Sequence, residues 1–273
     1  MKESLNVLFG LLSTEEERRM GEQFHLLINP GDVAPYVLLP GDPKRVEVVA
    51  SFWDEAHKVA ENREYVTYTG TYKGMPISCT STGIGCPSTS IAMEELARCG
   101  VKTFLRIGTC GTFQDHIKNG DMAIFDAALR LDGASARYVT PEFPAVANYE
   151  LIDACVKACK GLDLPYHVGT TRTTDTFYAG HARPGSSFND YFQSEWENQF
   201  LDMKRMGLVA AEMEASIVLT LAKLWGLRAG GMAVVLDNIC KCAGDDGNFK
   251  PDEALENPPD FTRNLSIAGC EAL

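Results

Sequence analysis

No apolar run in the 273 residues approaches the roughly 20 that a membrane span requires. The opening Met1-Lys2-Glu3-Ser4 and the charged stretch from Glu15 to Arg19 form no signal-peptide core. Positive charge is scarce: 25 Lys and Arg face 37 Asp and Glu, a formal net charge of −12. That balance argues against sequence-independent nucleic-acid binding, which needs a basic face to replace counterions. A small anion site built from a few arginines remains compatible with it. Internal repeats, low-complexity tracts and Gly/Ser linkers are missing too, which predicts a single domain over 1–273. The nine cysteines are odd in number and irregular in spacing, so no disulfide framework emerges. Reduced thiols, no membrane segment and no leader predict a cytoplasmic protein.

The 45% of hydrophobic residues is enough for a substantial core. Short β-branched runs alternate with amphipathic stretches, which predicts an α/β fold. Strands are expected at Tyr36 to Leu39, Thr103 to Ile107 (ending at Gly108), Met122 to Leu131, Tyr166 to Thr171 and Ala229 to Leu236. Tyr65 to Tyr72 and Met75 to Thr80 read as a hairpin across Lys73-Gly74. Helices are expected at Arg45 to Phe52, Ser88 to Cys99, Tyr149 to Lys160 and Ala211 to Trp225. The last of these puts Glu212 and Glu214 on different sides of one helix. Residues 1–24 read as an N-terminal extension, and 240–260, with Gly-Asp-Asp-Gly and Pro-Pro, as a polar surface segment.

Two expected strands run into glycine-bearing loops beside an arginine: Leu39-Pro40-Gly41-Asp42-Pro43-Lys44-Arg45 and Arg106-Ile107-Gly108-Thr109-Cys110-Gly111. In open α/β sheets ligands gather at the carboxyl ends of strands. Glycines there let backbone N–H groups approach an anion, and arginine supplies charge with a planar donor fork. Each loop alone reads more readily as an ordinary turn with a solvated arginine; the pair shifts the balance to phosphate. Neither has the spacing of an ATP-binding or dinucleotide-binding fingerprint.

Beyond these loops the chain contains Ser81-Thr82-Gly83-Ile84-Gly85-Cys86-Pro87-Ser88, Arg130-Leu131-Asp132-Gly133, Glu142-Phe143-Pro144, Asp175-Thr176-Phe177-Tyr178 and Glu212-Met213-Glu214. Taken in order, from about His25 to Asn238, these stretches resemble the nucleoside phosphorylases of the uridine phosphorylase type. The resemblance implies a central mixed, partly barrel-like β-sheet flanked by helices, and phosphorolysis of a nucleoside to free base and ribose 1-phosphate. It implies inorganic phosphate as co-substrate and no required cofactor. Phosphate contacts fall on Gly41, Arg45, Arg106 and Thr109, with Arg63 reaching in from a neighbouring subunit. Ribose contacts fall on Met213, Glu214 and a subunit-crossing His25, beside the pocket-wall Phe24. The base falls to Phe177, His181, Arg183 and Asp237. Arg106, Thr109, Glu214 and Arg183 are the implied catalytic set. Glu64, Ile84 and Ser88 match a monovalent-cation (K+) site at a dimer interface. The implied assembly is a homodimer or a trimer of dimers.

The base half departs from the family pattern. His181 stands where uridine phosphorylases carry Gln, whose amide presents a donor and an acceptor to the uracil edge. After the last strand the chain reads Leu236-Asp237-Asn238-Ile239, placing an acid before the Asn and Ile239 where the family has Arg. Cys110 replaces a Thr in the phosphate loop. Purine-cleaving relatives keep an Asp near this strand end, so uridine or a related pyrimidine nucleoside is the first expectation and a purine nucleoside the second. Two further alternatives are a nucleosidase, which three retained arginines oppose, and a nucleoside-binding protein of the same fold without turnover.

Overall fold

The computed structural model describes residues 21–181, 187–240 and 259–273. Strand β1 (Tyr36–Leu39) buries Val37, Leu38 and Leu39 completely. It passes through Pro40-Gly41 into helix α1 (Pro43–Ala50). Asp42 accepts from the Lys44 backbone N–H at 2.9 Å and Pro43 stands in the first turn, so the loop is fixed at the helix start. Next come β2 (Glu55–Asn62), β3 (Tyr65–Tyr72) and β4 (Met75–Thr80). Lys73 and Gly74 both take positive φ, 49° and 75°, which gives the β3–β4 hairpin its tight turn. Helix α2 (Cys86–Arg98) leads to β5 (Thr103–Thr112) and β6 (Met122–Leu131). After the short α3 (Ser135–Tyr138) and β7 (Ala145–Val146) come α4 (Tyr149–Gly161) and β8 (Tyr166–Thr174). The rest comprises α5 (Tyr178–His181), α6 (Ser194–Arg205), β9 (Ala210–Glu212), α7 (Ala215–Leu224), β10 (Arg228–Asn238) and α8 (Pro259–Ala272).

The sheet closes on itself. β5 pairs with β10 in parallel, β10 with β6 antiparallel, β6 with β8 and β8 with β9 in parallel, and β9 with β5 antiparallel. These five strands make a barrel. The first half of β5 also pairs with β1, from which β4, β3 and β2 extend the sheet outward. One face packs Met93 and Leu96 of α2 and Val218 and Leu221 of α7 against Phe104 and Phe125. The other packs Val46 and Val49, Cys155 and Cys159, and Leu265 against Leu105 and Ile107. The mixed α/β, barrel-like expectation is met. All eight described cysteines are free, seven of them buried. Among the described residues no helix is long and apolar enough to cross a membrane.

Two expectations are corrected and one strand was not foreseen. Ala211 to Trp225 is not one helix: β9 ends at Glu212 and α7 begins at Ala215. Glu212 turns its carboxylate back to accept from the Glu214 and Ala215 backbone N–H groups, each at 2.7 Å, and so caps the helix start. Strand β5 does not stop at Gly108 but runs to Thr112. Its glycines mark close approach: a Cβ on Gly108 would lie 2.9 Å from Arg106 Nη2, and one on Gly111 2.6 Å from Ile239 Cγ1. Strand β2 carries a charged sequence on an open sheet edge with a register shift between Lys58 and Ala60, so it lacks the apolar alternation that marks a strand. Most of the 240–260 segment lies outside the described residues.

Candidate active site

Four chain segments meet where β1, β4, β5 and β9 end: the β1–α1 loop, the Ser81–Gly85 turn, the far half of β5, and Met213-Glu214 between β9 and α7. Together with Phe177 and Asp237 they enclose a cavity of about 700 Å³. Of the residues assigned from sequence, Gly41, Arg45, Arg106 and Thr109 line it, as do Met213, Glu214, Phe177 and Asp237. Glu64, Ile84 and Ser88 meet at its rim, packed round Gly83, where a Cβ would stand 2.7 Å from Glu64 Cγ and 3.2 Å from Ser88 Oγ.

Arg106 organises the floor. Its side chain is buried, with Nη1 donating to the Leu39 carbonyl at 3.3 Å, Nη2 to Glu214 Oε2, and Nε 3.9 Å from Glu212 Oε2 without a hydrogen-bond partner. Burial, and then the nearby Arg106, hold the Arg45 guanidinium below its ordinary value. Two guanidiniums crowding one another in a sheltered cleft make a site that an anion relieves. Glu214 Oε1 accepts from the Gly85 N–H at 2.7 Å, so both carboxylate oxygens are held and the side chain has one orientation. Cys110 is buried, which pushes its thiol far up, and its Sγ turns to the Val234 carbonyl at 3.7 Å. It supplies none of the hydroxyl chemistry that a Thr would.

Asp237 stands beyond a register shift in β10, opposite Gly111, where an added Cβ would lie 2.8 Å from Asp237 Oδ1. The glycine is what admits the carboxylate to the cavity wall. His25 and Arg63 do not line their own chain's cavity. His25 is held against Glu95 on α2, its Nδ1 2.7 Å from Glu95 Oε1, and Arg63 takes φ 54° in the β2–β3 turn. Arg183 lies outside the described residues, and of His181 only the backbone, at the end of α5, is described.

Several supporting residues escaped the sequence reading. Asp132 accepts from Ser135 Oγ at 2.8 Å and Ser216 Oγ at 2.6 Å, tying α3 to α7. Arg172 is buried between the rings of Phe113 (5.6 Å) and Phe200 (5.9 Å) and donates to the carbonyl of Gly180, next to His181. Burial brings its pKa down to about 10. It anchors α5 to the barrel. The Asp132–Ser216 and Arg172–Phe113 contacts join elements distant in sequence, so no local pattern marks them.

Glu212 carries a testable electrostatic signature. Burial first, and the neighbouring Glu214 carboxylate second, push it up to about 7 from its ordinary 4.5, against the pull of Arg106. A raised carboxyl pKa means that the folded protein holds the proton more tightly than the unfolded chain. The stability it lends is full below 4.5 and is lost as pH rises to about 7. The thermal midpoint of wild type is therefore expected to fall, relative to Glu212→Gln, over that interval. A constant difference in scanning calorimetry across the same range would contradict it.

Residues 35–272 match the family model of the phosphorylase superfamily. A uridine phosphorylase of Thermococcus kodakarensis is 51% identical over 218 residues, covering 80% of this chain and 78% of the relative. A uridine phosphorylase of Escherichia coli is 43% identical over 217 residues, covering 79% and 85%. A guanosine phosphorylase of Halorubrum lacusprofundi is 39% identical over a longer span of 241 residues, 87% of this chain and 94% of the relative. With a family model spanning most of its length and such relatives covering over three-quarters of it, the chain belongs to the phosphorylase superfamily.

Proposed function

We propose that this protein is a pentosyltransferase that phosphorolyses a nucleoside, uridine or a related pyrimidine nucleoside first. Phosphate forms a bond to ribose C1′ as the bond from C1′ to the base breaks, giving ribose 1-phosphate and free base. The observation that carries this reading is the joining of Arg45 and Arg106 to the fixed carboxylate of Glu214 in one cavity. The arginines bind the phosphate, with Gly41 and Thr109 completing its contacts. Glu214 accepts from the ribose hydroxyls, and Met213 packs beside the sugar. As the bond to the base breaks, cationic character grows on the ribose, and the phosphate beneath it is the compensating charge. Phe177, His181, Arg183 and Asp237 are assigned to the base, where negative charge gathers. Catalysis is positioning and electrostatics, with no covalent enzyme intermediate. A monovalent cation at Glu64, Ile84 and Ser88 would steady the rim. The reaction belongs in the cytoplasm, in keeping with the free thiols.

Purine nucleosides are the second reading. Asp237, buried at the cavity wall, favours it, as does the guanosine phosphorylase relative. A panel of nucleosides scored for base release with and without phosphate tests both. Release without phosphate would replace phosphorolysis by hydrolysis, and no release would leave a binding protein.

His25 and Arg63 stand away from their own cavity, which supports a dimer, alone or in a trimer of dimers, with sites shared between subunits. Arg63→Ala and Glu214→Ala proteins are each expected to be nearly inactive. Mixed after reversible dissociation, they recover part of the activity, since a heterodimer assembles one intact site. Demonstrated mixed dimers without recovery would remove Arg63 from the neighbour's site.

A further inference from the structure

Glu95 is a carboxylate in an apolar layer, 4% exposed on α2 among residues such as Met93 and Leu96. Its hydrogen-bond partners belong to one distant segment. Oε1 lies 2.7 Å from His25 Nδ1, both oxygens lie 3.1 Å from the His25 backbone N, and Oε2 accepts from the Leu26 N–H at 2.8 Å. Asn62 Nδ2 donates to the His25 carbonyl at 2.8 Å, and the Phe24 ring meets the imidazole edge-on at 4.8 Å. Backbone and ring of His25 are thus both fixed, while its side chain stays 30% exposed. Two backbone N–H groups would suffice to anchor the chain here. The short contact to the ring goes beyond anchoring, because it decides which ring nitrogen bears the proton.

We propose that Glu95 is a positioning residue that holds His25 in its Nδ1–H tautomer and thereby makes Nε2 a hydrogen-bond acceptor for the 5′-hydroxyl of the nucleoside. The inference rests on the reading that His25 faces the ribose in a neighbouring copy's cavity. An ionised carboxylate only accepts, and N–H groups converge on both of its oxygens, so the shared hydrogen belongs to Nδ1. The neutral ring then offers a lone pair at Nε2 and no donor. A 5′-hydroxyl donates to that lone pair, and a 5′-deoxy sugar leaves it unpaired. A buried carboxylate is costly unless fully hydrogen-bonded, and these contacts are what make it tolerable at this helix position.

The test compares kcat/KM for the nucleoside that wild type cleaves fastest and for its 5′-deoxy analogue, in wild type, His25→Ala and Glu95→Gln. Wild type is expected to favour the hydroxyl about tenfold, the scale of one well-made hydrogen bond. Both variants bring that ratio to within about twofold of unity, with phosphate saturation unchanged. Imidazole nitrogen NMR, assigned with His25→Ala, is expected to show Nδ1 protonated in wild type and the other tautomer gaining in Glu95→Gln. Should Glu95→Gln fail to fold, Glu95→Asp keeps a carboxylate at shorter reach and is expected to retain the ratio in part. A ratio preserved in Glu95→Gln, with both substrates slowed equally, would reduce Glu95 to a chain anchor and overturn the proposal. So would an Nε2–H tautomer in wild type, or a wild type indifferent to the 5′-hydroxyl. If wild type cleaves no nucleoside, the proposed function fails on its own, and the NMR result still decides between Glu95 as tautomer lock and as anchor.

Discussion

Arg106→Ala is expected to lower kcat/KM by about three orders of magnitude, with most of the loss appearing as a raised requirement for phosphate. Each charge-assisted contact from the guanidinium is worth roughly 1.5–3 kcal/mol, and about two of them together account for that loss. The nucleoside requirement moves less, because Glu214 keeps its hold on the Gly85 N–H. Stability changes as well. Arg106 is the cation between Glu212 and Glu214, both nearly fully buried, and without it two carboxylates face each other in a dry site. Removing one partner of such a group costs about 3–5 kcal/mol. Arg106→Lys separates the two effects: it keeps the charge and much of the stability but loses the planar fork. Phosphate saturation at fixed nucleoside, together with thermal unfolding, checks both parts. A folded Arg106→Ala protein with wild-type phosphate saturation would remove Arg106 from the anion site.

The loop that brings Gly41 and Arg45 to the cavity was legible in the sequence because its determinants are local. Pro40-Gly41-Asp42-Pro43 is a turn and a helix cap within one stretch, and Arg45 is the third residue of the helix. The β3–β4 hairpin and the bounds of β6 were legible for the same reason: turn chemistry and alternation are properties of adjacent residues. Position 108 misled because a glycine ends a strand in one context and admits a neighbour's side chain in another, and only the packed barrel distinguishes the two. Glu212 misled more instructively. Its helix-friendly neighbours, Ala210-Ala211 and Ala215, outweighed a single long-range fact, that β9 pairs with β5 and β8 and leaves the glutamate free to cap the helix that follows. Glu95 and Arg172 carried no signal at all. One is a charged residue on an amphipathic helix and the other a charged residue in a strand, and what makes each informative is burial against partners far along the chain.

Asp237→Asn is expected to reduce purine-nucleoside cleavage by about 10²–10⁴ while leaving uridine cleavage within about threefold of wild type. The two leaving groups differ in what they need. A purine leaves readily once a proton reaches N7, and a carboxyl at the cavity wall would be placed to deliver it. Asparagine of the same shape donates a hydrogen bond there but no proton. Uracil leaves as an anion whose charge spreads over its carbonyls, and donors such as an arginine suffice. Asp237 is buried and opposite Gly111, so Asn fits the same space and the comparison isolates the proton. His181→Gln is expected to move the other side of the ratio. One imidazole nitrogen satisfies only one member of the uracil donor–acceptor pair, and the unmet partner costs on the order of 1–3 kcal/mol. His181→Gln therefore raises uridine kcat/KM relative to inosine and guanosine by about tenfold. Kinetics on uridine, inosine and guanosine for wild type and both variants check both ratios. Base ratios that stay the same in all three proteins would take both residues out of base recognition.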